Sequence, residues 1–361
     1  TFTDVTTEAG VGDPGLSAGA CFFDFDADGD LDLYVANYCE VDLANDQKCL
    51  HNNVPGYCAP EMFTPVHDTL YRNEGGGRFT DVSVESGIRS PKPGRGLGVV
   101  ATDFEGDGDL DLCVANDARE TFRWLNSGAG TFKDNALLSG VALDVNGDQQ
   151  GCMGIDVGDI DLDGRPDIVV TNYQRQTNAL YRMGEGGYFT DVAMSTGVAA
   201  DSLPWVGWGT GFFDADHDGD IDLFIANGHL EDQIERYDQS SQYKQPNQLL
   251  RNDGNGRFEN ISASVGPGLK PLHASRGAAF GDIDNDGDID IVICESRERP
   301  SVLINEADPA GHWLGLDLRL ADGAPAINTT AEVHLDGKVH RREARSGGSY
   351  ASQNDLRLHF G

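Results

Sequence analysis

Short apolar runs rich in β-branched residues recur along the chain, separated by polar turns dense in Asp, Gly and Asn. The clearest set is LDLYVAN, LDLCVAN, PDIVVTN, IDLFIAN and IDIVICE, which by length and propensity read as strands. Each follows an Asp-rich turn, and each turn follows another apolar run opening at a glycine: Gly19, Gly98, Gly154, Gly209 and Gly277. Glycine at that point permits close backbone approach, as crowding near a propeller axis requires. A third strand follows in LYRNEGGGRF, RWLNSGAGTF, LYRMGEGGYF and LLRNDGNGRF. Its Gly/Asn cluster supplies the positive φ of a hairpin turn before the Phe of a fourth strand. The fifth set offers only LINEADPAG.

A four-strand unit repeated in register predicts an all-β fold, a β-propeller of four-stranded blades with metal-binding loops between strands one and two. We assign the propeller to residues 1–305. Residues 306–361 are expected to form a small β segment that either packs by itself or adds a blade. Phe2-Thr3-Asp4-Val5 matches the fourth-strand text at Phe79-Thr80-Asp81-Val82 and Phe189-Thr190-Asp191-Val192, so the N-terminus is expected to supply a strand that closes the ring.

The turns carry the chemistry. Aligned on their first Asp, they are Asp24, Asp26, Asp28, Asp30 and Asp32; Asp103, Glu105, Asp107, Asp109 and Asp111; Asp159, Asp161, Asp163, Arg165 and Asp167; Asp214, Asp216, Asp218, Asp220 and Asp222; Asp282, Asp284, Asp286, Asp288 and Asp290. Oxygen donors stand at positions 1, 3, 5 and 9, a glycine at position 6 makes the sharp turn, and position 7 offers its carbonyl, so Arg165 there is no obstacle. Hard, flexible, all-oxygen donors suit Ca²⁺ over Zn²⁺ and over Mg²⁺. An EF-hand would need a bidentate Glu at position 12. That position holds Val35, Val114, Val170, Ile225 and Ile293, which excludes it. About five ions are expected, mainly structural, because without metal the clustered carboxylates repel. Affinities of roughly 10⁻⁴ to 10⁻³ M suffice for extracellular calcium.

Composition narrows the partners. A formal charge of -34, from 60 acidic against 26 basic residues, disfavours nucleic acid and anionic membrane. No run approaches the roughly 18 apolar residues of a spanning helix, so no membrane insertion is expected. The chain opens at Thr1 in strand-like text, so any signal peptide is expected to have been removed or never included. Cys39, Cys49 and Cys58 cluster in one insertion and point to an oxidising compartment, with Cys49 paired to Cys58. Cys21, Cys113 and Cys294 sit in apolar runs and are expected to be buried free thiols. The setting is therefore secreted, extracellular or periplasmic.

These loops, the F-T-D-V strands, Trp208-Gly209-Thr210-Gly211, Asn227-Gly228-His229, and the tail from Ser346-Gly347-Gly348-Ser349-Tyr350 to His359-Phe360-Gly361 resemble the FG-GAP/VCBS repeat proteins of the cartilage acidic protein type, with an ASPIC/UnbV segment at the C-terminus. The resemblance covers nearly the whole chain. Ile327-Asn328-Thr329-Thr330 departs from the Gly-Ala-Arg stretch typical of that segment. The family spans adhesion proteins and proteins of natural-product gene clusters, so it implies the fold more closely than the task.

With metal at one end of the blades, the start of strand one and the end of strand two share the other. Trp205, Trp208, His229, Arg276, Arg95 and Tyr173 fall there, a set suited to a sugar or a carboxylate by stacking and charge-assisted hydrogen bonds. Two functions follow. One is a recognition module for an extracellular protein, a glycan or a small anionic ligand. The other is a lyase or cyclase, natural-product or polysaccharide related, with His229, Tyr173 and Arg276 as acid, base and anion clamp. A third account gives these side chains only structural work, with Trp208 and Met153 plugging the channel, Arg276 pairing with a loop acid and His229 capping a turn.

Overall fold

The computed structural model describes residues 2–42, 44, 47–89, 92–307, 311–335 and 337–361. Blade 1 comprises Ser17–Phe23, Asp32–Asn37, Thr69–Asn73 and Phe79–Asp81; blade 2 Gly96–Thr102, Asp111–Arg119, Phe122–Asn126 and Phe132–Asp134. Blade 3 comprises Gln150–Gly158, Asp167–Asn172, Ala179–Met183 and Phe189–Asp191; blade 4 Gly207–Phe213, Asp222–Asn227, Gln248–Asn252 and Phe258–Asn260. Blade 5 has three strands, Ser275–Gly281, Asp290–Glu295 and Ser301–Leu303. Its text lacks the Gly/Asn turn and the Phe that open a fourth. Among the described residues no helix is long and apolar enough to cross a membrane.

Alternation along each strand sends successive side chains to opposite neighbours. Val99, Ala101, Leu112 and Val114 of blade 2 pack on Cys21, Phe23, Tyr34 and Leu70 of blade 1. Their sequence neighbours Val100, Cys113 and Ala115 pack on Ile155, Val157 and Ile168 of blade 3. Equivalent cores join blade 3 to blade 4 through Val169, Leu180, Leu223 and Ile225, and blade 4 to blade 5 through Phe224, Leu249, Phe280 and Ile291. This double burial is why the second strands are apolar on both faces. The end blades lack it on one side: Phe22 of blade 1 is 41 % exposed and Val302 of blade 5 is 54 % exposed. Cys21 and Cys113 are buried as expected, but Cys294 lies on that open side of blade 5 and is exposed.

The C-terminal segment packs across the Asp-rich turns. Leu314–Leu316 pairs with Leu358–Phe360, and Thr329–Leu335 pairs with Lys338–Ala344, around a small core of Ala344, Leu358 and Phe360. His340 Nδ1 lies 3.0 Å from the carbonyl of Gly219, Trp313 packs against Gly287, and Arg357 donates to the carbonyl of Asp282 at 2.6 Å. From here residues 346–355 enter the axis. Ser346 Oγ accepts from Phe22 N–H (3.1 Å), Gly348 N–H donates to Val99 O (2.8 Å) and Ser349 N–H donates to Ile155 O (2.6 Å). Ser349 Oγ accepts from Thr210 N–H (3.2 Å) and donates to Ala278 O (2.7 Å), and Asp355 N–H donates to Phe280 O (2.9 Å). One strap thus bonds to the innermost strand of every blade.

The N-terminal expectation fails. Residues 2–5 form no strand, and Phe2 is fully exposed. Asp4 Oδ1 accepts Thr6 N–H at 3.0 Å, just as Asp81 and Asp191 accept from Ser83 and Ala193 at the ends of fourth strands. The helical turn Thr6–Ala9 then ends at Gly10, which packs on the carbonyl of Phe79. In blades 1 to 3 the corresponding Gly87, Gly140 and Gly197 pack on Phe132, Phe189 and Phe258 of the next blade. The same docking rule anchors the N-terminus to blade 1, and among the described residues no third strand pairs with it.

Candidate metal loops and the face opposite them

Loops one, three and four are closed by the same bonds at position 1. Asp24 accepts from the amides of Asp28 (3.2 Å) and Gly29 (3.0 Å); Asp159 does so from Asp163 and Gly164, and Asp214 from Asp218 and Gly219. Position 9 clamps the loop to strand three. Asp32 accepts from Phe25 (3.1 Å) and Asn73 (2.7 Å), Asp167 from Ile160 and Met183, Asp222 from Ala215 and Asn252, and Asp290 from Ile283 and Asn305. Ala27, Leu162, His217 and Asn285 at position 4 carry φ of 56° to 63°, a left-handed conformation that Ala and Leu rarely take without something to hold it.

Loops one, three, four and five each bring three carboxylates within 4.8 Å of one another: Asp24, Asp26 and Asp32; Asp159, Asp161 and Asp167; Asp214, Asp216 and Asp218; Asp282, Asp284 and Asp290. In each, one carboxylate oxygen, on Asp26, Asp161, Asp216 or Asp282, is buried and accepts no hydrogen bond. A bare buried carboxylate oxygen amid other acids is costly unless a cation meets it. Burial pushes the Asp32 carboxyl up to about 7 and those of Asp167 and Asp222 up to about 8, a penalty that a bound dication reverses. These all-oxygen donor sets fit calcium. Position 7 contributes no side chain to these groups: the Arg165 guanidinium turns to Asp163 and to Met183 O, and Asp288 lies 3.2 Å from His217.

Loop two is built alike and filled differently. Asp103 accepts from Asp107 (3.1 Å) and Gly108 (2.9 Å), and Asp111 from Phe104 (3.4 Å) and Asn126 (2.8 Å). Yet Glu105 is bound to the fully buried guanidinium of Arg123, and among the described residues these acids form no three-carboxylate group.

At the other end, most of the expected residues meet, and their polar groups are committed. His229 is buried, accepts Glu231 N–H at Nδ1 (3.0 Å), and so carries its proton on Nε2, 3.3 Å from the Tyr173 hydroxyl. Burial, then Arg276, lower its pKa to about 4, which keeps it neutral. Arg276 lies 4.5 Å over the Trp208 ring and donates to the carbonyls of Gly228, His229 and Ser275, not to a loop acid. Trp208 Nε1 shares Gly228 O at 2.7 Å, and its ring meets Tyr350 of the axial strap at 4.9 Å. Leu97, Met153 and Val206 pack beneath Tyr38, Tyr173, Trp208 and Tyr350. Arg95 is buried, with its guanidinium donating to the carbonyls of Phe63 and Ala118. Trp205 sits in the bend before Gly207, its amide bonded to Ser202 O. With His229 and Arg276 spent on backbone groups, the acid, base and clamp arrangement has no free member among those two.

The sequence pattern missed the hairpin above this end. Cys49–Cys58 is a disulfide, as expected, and it closes the hairpin of Cys49–His51 and Val54–Gly56, which leaves blade 1 and reaches blade 4. There Tyr57 N–H donates to Glu231 (2.7 Å), His51 lies 3.6 Å from the same carboxylate, and the His51 ring stacks on Tyr237 at 5.1 Å. Between hairpin and blades runs a cleft of about 630 Å³ lined by His51, Asn52, Tyr173, Gln174, Arg175 and Tyr237 among others. Only the Cys cluster hinted that this insertion was ordered; nothing in it named Glu231 as its anchor.

Comparison with known proteins agrees with this architecture. The FG-GAP-like repeat family matches residues 62–114, 103–170, 159–225 and 236–293, and the ASPIC and UnbV family matches residues 321–361. Cartilage acidic protein 1 of Mus musculus is 25 % identical over 287 residues, 78 % of this chain and 42 % of that protein. Its Xenopus tropicalis counterpart is 24 % identical over 378 residues, 99 % of this chain and 51 % of that protein. The chain thus spans about half the length of these relatives or less. Among solved structures, an Agrocybe aegerita lectin that recognises non-reducing terminal N-acetylglucosamine aligns at a TM-score of 0.40, with 16 % identity over 81 % of this chain and 67 % of that one.

Proposed function

This chain belongs to the FG-GAP-like repeat family, and from that premise we propose that it is a calcium-stabilised recognition module of an extracellular or periplasmic space. Calcium holds the turns at one end of the blades, and a ligand is taken at the other. The observation that carries this reading is the cleft under the disulfide-closed hairpin, where elements of blades 1, 3 and 4 put aromatic rings beside amide, guanidinium and carboxylate groups. That mixture suits a glycan, or an anionic group on a small ligand or an extracellular protein. The disulfide and the net charge of -34 favour an oxidising, calcium-rich setting over nucleic acid or membrane. The ring nitrogens of His229 and the guanidinium of Arg276 are engaged internally, which favours binding over catalysis.

The test is binding to a panel of neutral and uronic-acid oligosaccharides in calcium, with wild type beside Arg175→Ala and Asn52→Ala. Both positions line the cleft, and their exposed side chains carry little of the core. Binding that weakens tenfold or more in the variants, at unchanged Tm, supports the cleft. Equal binding by wild type and variants moves the ligand elsewhere.

A further inference from the structure

We infer that loop two carries its own cation: the Arg123 guanidinium takes, against Glu105, the place that calcium takes in the other loops, so the chain binds calcium at four loops and blade 2 stands without it. The inference rests on the calcium reading of those four loops and goes beyond it.

The backbone of loop two is the same cast. Its position-1 carboxylate makes the same amide bonds as in loops one, three and four, its position-9 carboxylate makes those of all four other loops, and Gly106 and Gly108 take the positive φ of positions 4 and 6. The difference lies in two side chains. Position 3 is Asp26, Asp161, Asp216 or Asp284 elsewhere, and Glu105 here, one methylene longer. In strand three, Arg123 pairs with Cys113 in the register where Leu70 pairs with Tyr34, Leu180 with Val169 and Leu249 with Phe224.

Blade 2 has in effect moved a cation inward. Arg72, Arg182 and Arg251 of the other blades stand two positions later, where blade 2 has Leu125. Of these, Arg182 reaches Asp161 only from the surface, at 3.5 Å and 48 % exposed. Arg123 instead lies fully buried, held 5.1 Å over Phe104 and 5.3 Å over Phe189, and Glu105 is its ion-pair partner. Its Nε and Nη1 find no acceptor, so the rings fix it and it has nowhere better to go. Where the other four loops leave a buried carboxylate oxygen bare, loop two leaves none. A dication entering it would meet a fixed positive charge at the donor that should bind it.

Two measurements on the whole chain decide this: calcium per chain after dialysis against calcium-containing buffer, and amide hydrogen exchange with and without EGTA. Four ions are expected, one for each three-carboxylate group. Chelation should strip protection from residues 24–32, 159–167, 214–222 and 282–290 and leave 103–111 unchanged. The paired substitution Glu105→Asp with Arg123→Leu, which restores the residues of the other blades, should add a fifth ion. Five ions in the wild type, or lost protection in 103–111 on chelation, overturns the inference even if the paired variant fails to fold. No bound calcium at all overturns the calcium reading instead, and the count separates the two failures.

Discussion

The carbonyl oxygen of Tyr350 lies 2.7 Å from where a Cβ on Gly277 would stand. Against Gly19, Gly98, Gly154 and Gly209 that role falls to the carbonyls of Leu97, Met153, Trp208 and Arg276, each the residue before the next blade's glycine. The axial strap therefore gives blade 5 the backbone neighbour that a following blade would give it. Ser352 Oγ crowds the same spot, so any side chain on Gly277 must push the strap away.

Gly277→Ala should accordingly destabilise by about 1–3 kcal/mol, the usual range for overpacking a tight site. Chain ending at Arg345 should lose more, because it forfeits every strap bond at once. Thermal unfolding in saturating calcium measures both, and hydrogen exchange in Ser275–Gly281 should rise with them. A Gly277→Ala protein that melts with wild type would mean that blade 5 does not depend on the strap.

Within one calcium loop, two acids should behave differently. Asp161 has a buried oxygen with no partner, whereas Asp167 accepts from Ile160 (3.1 Å) and Met183 (2.8 Å). Asp161→Asn should lower calcium affinity while leaving the metal-free Tm at or above that of wild type, since it removes one of the repelling charges. Asp167→Asn replaces one acceptor by a donor facing an amide, and should destabilise by about 1–3 kcal/mol, lowering Tm with and without calcium. Paired melts in calcium and in EGTA separate the two.

The repeat, the turn between strands one and two, and the glycines before strand one were legible because each is local: strand alternation, a fixed ligand spacing and a close backbone approach all leave marks within nine residues. What escaped is set by contacts far apart in the chain. Tyr350 meets Trp208 and Tyr57 meets Glu231 only once the blades are assembled. Phe2-Thr3-Asp4-Val5 reads as a strand because its turn chemistry is that of one, yet a strand exists only where a partner edge does. Arg123 was visible as a departure, since RWLN puts Arg where LYRN and LLRN put Leu, but the consequence needed its partner Glu105 in space.

The hairpin should depend on Glu231. That carboxylate is the acceptor for Tyr57 N–H and lies beside His51, so Glu231→Ala leaves a half-buried amide without its partner. Exchange across residues 49–58 should accelerate in Glu231→Ala, and ligand binding in the cleft should fall, while the Tm of the blades moves little. Unchanged exchange would mean that the His51 and Tyr237 stack holds the hairpin without Glu231.

His229 gives the chain an acid-sensitive contribution whose sign follows from its surroundings. Burial first, then the Arg276 charge, lower its pKa from the ordinary 6.5 to about 4 in the folded protein. Between those values the unfolded chain binds a proton that the folded chain refuses, so the stabilisation is complete above pH 6.5 and is lost progressively as the pH falls towards 4. The limiting slope is about 1.4 kcal/mol per pH unit. Asp68, raised by burial to about 7, works in the opposite sense: its contribution is present at low pH and fades as the pH rises through 7. A single melting curve therefore mixes the two, and the comparison that isolates His229 is with His229→Gln, whose amide can still accept from Glu231 N–H and donate towards Tyr173. In saturating calcium, wild type should lose stability faster than His229→Gln between pH 6.5 and 4.5, and the two should run parallel from pH 7 to 8. Parallel curves throughout would mean that the imidazole is solvated enough to take its proton in the folded state, and that the closed environment of this end of the axis opens in solution.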